Sequence, residues 1–539
     1  MIFGSWRYSD CQKTLAAFSP EEVPRVFALL EESAREHYAV GYVRYDLSRP
    51  SAQPLVWFQV FAARTPYAPP PANPPVLRPQ PALSFAEYAR AIDAIKRAIA
   101  AGDTYEVNYT CDFTFPFAGD PRELFAALAA RQPVPYQFYC ANEYETILSL
   151  SPELFFSKEA DHVTMRPMKG TIRRGTTPTE DAELKDFLRN DPKNRAENAM
   201  IVDLVRHDLG RVARTGSVKA TTLFAVETHP TLHQMTSTIE ADLRPNTSLY
   251  ELFSAVFPCG SITGAPKKRT LEIIRETEKG DRGVYCGAIG VLEPGGRALF
   301  SVPIRTLQRR AGAPCWTYRA GGAVVWDSDA RGEWDEMHLK TAFLRPNFRL
   351  LETLKVENGR ILFLREHLAR LETAARHFGF PYETPEIGTP PDGMLRILLD
   401  AEGRYTIESR PLAANPLPTR AVLSETPVDP ANTFLYFKTT WCPWYTVDRA
   451  RIAQGDIFDV LHVNTRGELT EGARSNIVLE LDGRLYTPPV SCGLLGGVGR
   501  ADLLARGICT ERVLTRDDLR RATRVFCVNS VRGLVEVHL

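Results

Sequence analysis

The segment AGGAVVWDSDARGEWDEMHLK, residues 320–340, carries an acidic pattern on which the assignment of the larger part of the chain depends. Glu333 and Glu336 are three residues apart, so on a helix they share one face, and Lys340 follows one turn later. For an isolated pair of this kind, a solvated helix with paired charges is the more common explanation. The pattern therefore becomes informative only together with other polar segments.

A second acidic segment, NRAENAMIVDLVRHDLGRV at residues 194–212, has helical spacing. Glu197 lies one turn before the apolar face that Met200, Leu204 and Val205 form. Carboxylates from two segments supply hard oxygen ligands, and Mg²⁺ usually takes one or two protein carboxylates together with water and substrate oxygens. The two acidic segments are therefore candidates for a shared Mg²⁺ site.

A glycine-rich turn lies between them, in FPCGSITGAPKKRTLEIIRE at residues 257–276. The predicted turn consists of Gly260, Ser261, Thr263 and Gly264. Pro266 then stands at a helix start, where free backbone N–H groups and hydroxyls can hold a carboxylate. Arg305, in FSVPIRTL, is either a bidentate clamp for another carboxylate or part of a structural ion pair.

Composition excludes several classes of protein. The chain has 539 residues, too many for one hydrophobic core, and its 65 basic and 65 acidic residues balance. This balance disfavours binding to nucleic acid or to an anionic membrane. The ten cysteines show no C-x-x-C spacing, which argues against a zinc site and fits a reducing compartment. With no signal pattern and no apolar run of membrane length, a cytoplasmic protein is expected.

Local patterns predict an α+β fold rather than a regular βαβ alternation. Ser84 and Glu87 have the spacing of a capping box before a helix. Residues 105–115 alternate as a strand with one buried face. Two proline-rich stretches, 66–81 and 381–391, favour exposed extended backbone, and residues 344–350 are the better domain boundary because the kinds of motif change there.

Six motifs in the first part of the chain resemble, in their order, the chorismate-utilising enzymes. They are RPMKGTIRRG (166–175), AENAMIVDLVRHDLGR (196–211), FPCGSITGAPK (257–267), YCGAIGVL (285–292), FSVPIRTL (300–307) and residues 320–340. The resemblance covers residues 1–345 and implies a large two-sheet α/β sandwich domain. It turns the isolated polar patterns into one expected site.

The resemblance also implies roles for individual residues. Glu197, Glu333 and Glu336 would hold Mg²⁺ against the ring carboxylate of chorismate. The expected substrate-binding residues are Ser261, Thr263, Gly264, Tyr285, Arg305, Gly321, Gly322 and Lys340. His233 would lie beside the ring, although a lone histidine is more often a satisfied core residue.

Lys169, in RPMKGTIRRG, indicates which chorismate reaction is favoured. The P-x-K-G-T motif resembles the aminodeoxychorismate synthases, where this lysine is the nucleophile at ring carbon C2; a lowered lysine pKa is expected for that role. Glu153, sixteen residues earlier, matches the general acid/base that helps the C4 hydroxyl depart. The isochorismate and salicylate synthases instead need a water-activating lysine, where this chain has Glu106. Amination at C4 is therefore favoured.

The C-terminal part contains a second set of polar features. Lys438, in FLYFKTTWCPWYTVDRA, ends an apolar segment, where burial would lower its pKa and allow a Schiff base, although most such lysines snorkel. Glu471 precedes an alternating strand. Gly497, Val498 and Gly499 open a helix, a geometry that binds anions.

These segments resemble, in order, the class IV (fold type IV) pyridoxal-phosphate enzymes over residues 350–539, which implies a smaller second domain. The resemblance implies that Lys438 carries pyridoxal 5'-phosphate and that Glu471 pairs with its pyridine nitrogen. The remaining implied cofactor residues are Arg370, Asn476, Gly497, Val498 and Gly499. A homodimer through this domain is also expected. Trp441 and Cys442 replace basic residues that are common after the lysine in this family.

Together the two resemblances predict synthesis of p-aminobenzoate. The first domain would aminate chorismate to 4-amino-4-deoxychorismate with Mg²⁺, and the second would eliminate pyruvate. Because no glutaminase domain is present, ammonia would come from a separate glutamine amidotransferase subunit or from solution. Two alternatives remain for the second domain, a true class IV aminotransferase and a non-catalytic docking module, and an anthranilate synthase-like reaction remains the alternative for the first.

Overall fold

The computed structural model describes residues 1–175, 177–228, 232–415, 417 and 419–539. The chain divides into two compact units, Met1–Arg345 and Pro346–Leu539. The division falls in the segment where the kinds of sequence motif change. Within the described residues, no helix has the length and apolar character needed to cross a membrane.

The described residues of the first unit form eight α-helices. They are α1 (Val23–Ser33), α2 (Phe85–Ala100), α3 (Pro121–Arg131), α4 (Pro178–Asn190), α5 (Pro192–Gly210), α6 (Leu249–Val256), α7 (Lys267–Thr277) and α8 (Ala330–Leu339). The predicted capping box is confirmed at α2, where Ser84 Oγ accepts from the Glu87 N–H and the Glu87 carboxylate accepts from the Ser84 N–H. The carboxylates Glu333 and Glu336 lie on α8, as predicted.

Eighteen strands of the first unit pair into one antiparallel network. They are β1 (Ile2–Phe3), β2 (Trp6–Ala17), β3 (Tyr38–Val43), β4 (Val56–Pro66), β5 (Gln80–Pro81), β6 (Glu106–Pro116), β7 (Tyr136–Ala141), β8 (Glu145–Ser151), β9 (Leu154–Glu159), β10 (His162–Arg166), β11 (Met168–Arg173), β12 (Lys219–Thr228), β13 (Leu232–Asp242), β14 (Gly264–Ala265), β15 (Ala288–Glu293), β16 (Arg297–Ser301), β17 (Thr306–Arg310) and β18 (Cys315–Val324). The antiparallel pairing agrees with the predicted α+β class.

The network is long enough to fold into two layers. Its pairing runs from β13 through β10, β9, β16, β15, β3 and β4 to β2, and continues from β1 through β7, β8, β17 and β18 to β6. The predicted sandwich differs in one respect: its layers are not separate sheets, because the short strand β1 pairs with β2 of one half and β7 of the other.

One apolar cluster joins the two halves of the network face to face. It contains Val40, Trp57 and Ile289 from the first half and Phe138 and Ile147 from the second. A second cluster places α1, α5 and α6 against the first half, and a third places α2, α3, α7 and α8 against the second. The helices therefore cover the outer faces, and the apolar side chains between the layers form the interior.

Strand β6 differs from the prediction of one buried face. Its apolar side chains, including Val107 and Tyr109, are buried, but the alternate polar residues Glu106, Asn108 and Thr110 are buried as well. Alternation alone assigns the second face to solvent. The second face is instead covered by other elements, because Gly264 of β14 and the carboxylate of Glu278 bond to the same strand. The buried polar residues on this face are therefore candidates for a functional site.

In the second unit, the part of the chain that the structure describes forms four α-helices and twelve strands. They are α9 (Leu364–Phe378), α10 (Thr446–Ala453), α11 (Val498–Ala505), α12 (Arg516–Arg521), β19 (Leu350–Glu357), β20 (Arg360–Ile361), β21 (Gly393–Leu399), β22 (Tyr405–Arg410), β23 (Ala421–Leu423), β24 (Asp459–Val463), β25 (Leu469–Gly472), β26 (Asn476–Leu481), β27 (Arg484–Thr487), β28 (Thr510–Glu511), β29 (Arg524–Asn529) and β30 (Gly533–Val537).

Two sheets organise the second unit. Strands β20, β19, β21 and β22 form a four-stranded antiparallel sheet, and α9 packs against β19. The other eight strands form a mixed sheet in which β23 pairs with β24 and β27 with β28 in parallel. Its core includes Phe458, Leu461, Ile477, Leu514 and Cys527.

Candidate active sites

Lys169 forms a buried ion pair with Glu106. Lys169 lies on β11, and its Nζ donates to Glu106 Oε1 on β6 at 2.7 Å. Only 9% of Lys169 is exposed, and Glu106 is fully buried. The sequence predicts Lys169 as a catalytic residue. It identifies Glu106 only as the residue that stands where the isochorismate and salicylate synthases have a water-activating lysine. The structure therefore adds Glu106 to the candidate site.

The pKa of Lys169 differs from the expectation of a lowered value. Burial lowers it, but attraction to the carboxylates of Glu106, Glu197 and Glu153 outweighs burial, so the pKa lies above its ordinary value. The expectation was wrong because it counted nearby cations and did not count the carboxylates that surround this amine. In this structure Lys169 is an ammonium group at neutral pH.

Glu153 lies in the turn between β8 and β9, where 3% of the residue is exposed. Ser261, in a 3-10 helix at Gly260–Ile262, donates its hydroxyl to Glu153 Oε1 at 2.6 Å. Burial raises the pKa of Glu153 to about 7, and the serine hydrogen bond only partly offsets this effect. A carboxyl group that titrates near neutral pH is suited to donate or accept a proton.

The glycine-rich turn leads into a helix, as predicted. Pro266 is the N-cap of α7, which begins at Lys267, and Gly264 belongs to β14, where it pairs with Val107. Thr263 donates its hydroxyl within the turn, to the carbonyls of Cys259 and Gly260. The role of this turn in holding a substrate carboxylate stays a prediction. Gly264 is required for another reason: its φ is +139°, and an added Cβ would lie 2.0 Å from the Glu106 carbonyl.

Arg305 keeps the features of an anion clamp. It lies between β16 and β17 with a φ of 51°, a conformation that costs energy for a residue other than glycine. Burial lowers the pKa of its guanidinium, which donates to the side chain of Gln132. No carboxylate forms an ion pair with Arg305 among the described residues. A half-buried guanidinium without a carboxylate partner among the described residues, in a strained loop, fits the binding of a substrate carboxylate.

Tyr285, three residues before β15, is buried, with 5% of the residue exposed. Burial raises the pKa of its phenol well above the ordinary value, so the hydroxyl remains protonated. The predicted role of Tyr285 in holding a substrate carboxylate stays a prediction.

The three carboxylates predicted to bind Mg²⁺ influence one another. Burial has the largest effect on Glu197 and Glu333 and raises the pKa of both. The charge of Glu336 raises the two pKa values further. Lys340 donates to the Gly321 carbonyl at 2.7 Å and pairs with Glu336 at 2.8 Å. A Cβ on Gly322 would lie 3.0 Å from Glu333 Oε2 and 3.4 Å from Glu336 Oε1. Glycine at position 322 therefore leaves room for the two α8 carboxylates.

The donor set of this acidic cluster fits Mg²⁺ chemically. Glu197 on α5 and Glu333 and Glu336 on α8 supply hard carboxylate oxygens, and Mg²⁺ commonly keeps water and substrate oxygens as further ligands. Among the described residues, no three histidine, cysteine, aspartate or glutamate side chains are arranged so that they could hold a metal ion by themselves. Lys340 instead neutralises Glu336. The three glutamates remain the predicted metal ligands.

His233 has partners for both ring nitrogens. On β13, its Nε2 lies 2.9 Å from Asp181 Oδ1, and its Nδ1 lies 3.1 Å from Thr228 Oγ1. Only 1% of the residue is exposed. The structure does not bring His233 into contact with Lys169 or Glu153, and its predicted place beside the substrate ring stays a prediction.

In the second unit, Lys438 lies directly before Thr439, which forms a β-bridge with Leu350 of β19. The Lys438 carbonyl accepts from the Leu351 N–H at 2.9 Å. Burial lowers the pKa of Lys438 to about 8; the charge of Glu352 opposes this effect and that of Arg370 supports it. The lowered pKa agrees with the sequence-based expectation. An amine with this pKa is available as a nucleophile and proton carrier near neutral pH.

Glu471 is a buried carboxylate that has neutral hydrogen-bond donors. Tyr445 donates to its Oε1 at 3.0 Å, and the Leu495 N–H and the Asn476 amide donate to Oε2 at 3.2 and 3.3 Å. Burial raises the pKa of Glu471 to about 8. No described cation forms an ion pair with it. A carboxylate so placed fits the protonated nitrogen of a pyridine ring as partner.

The N-terminus of α11 forms an uncapped cradle. Gly497 is the N-cap and supplies no side-chain cap, and Arg370 reaches this end by donating to the Gly496 carbonyl at 3.1 Å. A Cβ on Gly497 would lie 2.0 Å from Asn476 Oδ1, and one on Gly499 would lie 2.8 Å from the Asn529 backbone. Val498 begins the helix between them. The arrangement fits a phosphate group, and with Glu471 and Lys438 it fits pyridoxal phosphate.

Glu352, on β19, holds Arg370 in this place and was missed from the sequence. Its carboxylate accepts from Arg370 Nε at 2.9 Å and from Arg370 Nη2 at 2.7 Å, and His367 Nδ1 lies 2.6 Å from Glu352 Oε2. Only 1% of Glu352 is exposed. Alternation in LLETLKV placed Glu352 among apolar residues, which was the available sign that it is buried. The attraction of Arg370 and the hydrogen bonds of His367 and Arg370 outweigh burial and lower the pKa of Glu352 to about 2.

Glu352→Ala is expected to destabilise the second unit by about 3 kcal/mol, because removing one partner of a buried ion pair leaves the other charge uncompensated. The free energy of unfolding, measured by urea denaturation with tryptophan fluorescence, tests this. Glu357→Ala, at the half-exposed end of the same strand, is the matched control and should cost less than about 0.5 kcal/mol. Equal effects of the two variants would contradict the buried pair.

The same pair predicts a pH dependence of stability. A carboxylate whose folded pKa is depressed contributes stability above its unfolded pKa, and the contribution is lost as the pH falls toward the folded value. For Glu352 this window runs from 4.5 down to about 2. The free energy of unfolding should therefore fall less steeply through this window in Glu352→Gln than in the wild type. Parallel curves would exclude this group as the source.

The two units match two different protein families. Residues 23–346 match the family of chorismate binding enzymes, and residues 349–539 match the family of class IV amino-transferases. The chain is 44% identical over 267 residues to an aminodeoxychorismate synthase of Streptomyces griseus. The aligned segment covers 49% of this chain and 36% of the relative. The chain is 41% identical over 254 residues to aminodeoxychorismate synthase component 1 of Klebsiella aerogenes, covering 47% of this chain and 56% of the relative.

The fold of the first unit is also found in a solved structure. Anthranilate synthase component I from Streptococcus pneumoniae superposes with a TM-score of 0.56 and 22% identity, covering 64% of this chain and 92% of that one. The chain spans about a third to a half of the length of the curated relatives named above. The first family covers more than half of the 539 residues. The chain therefore belongs to the chorismate binding enzyme family, and its C-terminal unit carries a class IV aminotransferase region.

Proposed function

We propose that the chain makes p-aminobenzoate from chorismate and ammonia in two steps, one in each unit. The observation that carries the proposal is the buried Lys169 amine together with Glu153. Burial raises the pKa of the Glu153 carboxyl, and the charge of Lys169 lowers it by a smaller amount. A nucleophilic lysine and a general acid are what amination at ring carbon C4 requires. The relatives that are aminodeoxychorismate synthases support the same choice.

In the first step, Lys169 Nζ attacks C2 of the ring and the ring double bonds shift. Glu153, whose pKa of about 7 leaves it partly protonated, gives its proton to the departing C4 hydroxyl, which leaves as water. Ammonia then adds at C4, the double bonds shift back, and the bond between C2 and Lys169 breaks. The product is 4-amino-4-deoxychorismate.

Two groups would hold the carboxylates of chorismate during these steps. Arg305, half-buried and without a carboxylate partner among the described residues, would clamp the enolpyruvyl carboxylate. Mg²⁺, held by Glu197, Glu333 and Glu336, would neutralise the ring carboxylate. Orientation by both groups would place C2 at Lys169.

In the second unit, Lys438 would move the proton of the second step. When bound, pyridoxal phosphate would supply an electron sink next to the substrate amine. Lys438, with a pKa of about 8, would take the C4 proton of aminodeoxychorismate, and loss of pyruvate would make the ring aromatic. Glu471 would hold the pyridine nitrogen, and Arg370 with the start of α11 would hold the phosphate.

The proposal includes partners and surroundings. A separate glutamine amidotransferase subunit would supply ammonia, as the designation of relatives as component 1 supports. A homodimer through the second unit is also proposed. All ten cysteines are free, which supports a reducing compartment such as the cytoplasm.

The deciding experiment supplies the full chain with chorismate, Mg²⁺, ammonia and pyridoxal phosphate and identifies the products. The proposal expects p-aminobenzoate and pyruvate. Anthranilate as the main product would overturn the first step. Aminodeoxychorismate that accumulates without p-aminobenzoate would overturn the second, and consumption of an added keto acid would assign an aminotransferase instead.

Chelation of Mg²⁺ is expected to abolish chorismate turnover, and added Mg²⁺ should restore it. Glu336→Gln should lower chorismate turnover by about 100-fold, because it removes a charged ligand, and should spare the conversion of supplied aminodeoxychorismate. Asp335→Asn, on the exposed face of the same helix, is the matched control and should have no effect. Full turnover after thorough chelation would remove Mg²⁺ from the proposal.

A further inference from the structure

Glu106 has the position of a proton acceptor in contact with Lys169. Its Oε1 is 2.7 Å from Lys169 Nζ, and the residue is fully buried on the polar face of β6. The second oxygen, Oε2, is also buried and has no hydrogen-bond partner in the described part of the chain. The carboxylate therefore has one donor, Lys169, and one buried oxygen without a partner among the described residues.

The proposed reaction needs such an acceptor. An ammonium group has no free electron pair, so Lys169 must lose a proton before it can attack C2. Three other carboxylates act on it through their charge, Glu153, Glu197 and Glu336. Among the described residues, only Glu106 forms an ion pair with its amine. Glu153, the predicted acid, must carry a proton to the C4 hydroxyl and is therefore unsuited to take one at the same time.

We propose that Glu106 is a catalytic residue that takes a proton from Lys169 as the lysine attacks chorismate, and returns it when the lysine leaves. In the first half, the N–H bond of the ammonium breaks, Glu106 becomes a carboxylic acid, and the nitrogen electron pair forms the bond to C2. In the second half, ammonia displaces the lysine, whose nitrogen recovers the proton from Glu106. No oxidant or further reactant is needed, and the inference rests on the proposed function of Lys169.

The acceptor role also explains why a raised lysine pKa is compatible with a nucleophile. The carboxylates that surround Lys169 stabilise its ammonium form before the substrate arrives. Proton transfer within a buried pair exchanges two charges for two neutral groups, which burial favours over separated ions. The pair therefore converts locally to the reactive amine without release of a proton to solvent.

The test uses Glu106→Gln in the full chain, because glutamine keeps the size and the hydrogen-bond acceptor but cannot hold the proton. Formation of the covalent adduct between Lys169 and chorismate is followed by mass spectrometry without ammonia, and chorismate consumption is followed with ammonia. Both rates should fall by about 100-fold at pH 7. The rate of the variant should rise with pH, because Lys169 must then release its proton to solvent before it attacks. The wild type should lack this rise. Glu106→Asp, which keeps the carboxylate, should recover part of the rate.

Controls separate this inference from the proposed function. Conversion of supplied aminodeoxychorismate by the second unit, together with the circular dichroism spectrum, reports whether the variant is folded. If Glu106→Gln has the rate and pH profile of the wild type while Lys169→Ala forms no adduct, the role of Glu106 is wrong and the lysine nucleophile stands. If Lys169→Ala is fully active, the proposed function fails and this inference fails with it.

Discussion

Lys438→Ala is expected to lower the release of p-aminobenzoate and pyruvate by about 1,000-fold, the size of effect that general acid–base catalysis commonly provides. Burial lowers the pKa of Lys438 to about 8, so about a tenth of the amine is neutral at pH 7. The variant loses both the attachment of the cofactor and the group that moves the C4 proton. These two losses make the expected effect larger than that of any phosphate-binding residue.

Absorbance and reduction measure the attachment directly. The wild-type protein with pyridoxal phosphate should absorb in the visible range, and borohydride should fix the cofactor covalently to Lys438. The variant should lose this covalent label while retaining some cofactor, because Arg370 and the start of α11 still bind phosphate. Aminodeoxychorismate should accumulate from chorismate and ammonia, since the first unit is unchanged.

A surface lysine provides the matched control for this prediction. Lys355→Ala, on β19 and paired with the half-exposed Glu357, should leave the spectrum and product release unchanged. If reduction labels a lysine other than Lys438, or if the variant releases p-aminobenzoate at a near-normal rate, the assignment of the second step to this residue is wrong.

Features that depend on local sequence were predictable. The capping box at Ser84 and Glu87, the shared helical face of Glu333 and Glu336, and the helix that opens after Gly497 all appear in the structure. Each is determined by residues three or four positions apart, whose interaction needs no knowledge of the rest of the fold. The order of such motifs then carried the assignment of the two units.

Features that depend on distant partners were not predictable. Alternation in β6 assigned Glu106 to a solvent face, because nothing local shows that Lys169 and β14 cover it. The raised pKa of Lys169 has the same origin, since its neighbouring carboxylates come from β6, α5 and the turn before β9. Glu352 likewise gains its importance from Arg370, eighteen positions along the chain. Burial and charge pairing of this kind are properties of the folded chain.

Lys169→Ala is expected to stop the formation of 4-amino-4-deoxychorismate, with a fall of at least about 1,000-fold, because the covalent path to C4 needs a nucleophile at C2. The buried Glu106 would lose its only ion-pair partner among the described residues. Direct addition of ammonia at C2 remains chemically open, and any residual product should be anthranilate. Chromatography of the products from chorismate, Mg²⁺ and ammonia measures both compounds.

The control must separate loss of the nucleophile from loss of the fold or of the second step. Lys279→Ala, a 71% exposed lysine paired with Glu87 on the surface, should keep wild-type synthesis. Lys169→Ala itself should still convert supplied aminodeoxychorismate to p-aminobenzoate, since that step belongs to the second unit. Production of aminodeoxychorismate at the wild-type rate would mean that Lys169 acts only through its charge, and the covalent path would then have to be abandoned together with the proton transfer from Lys169 to Glu106.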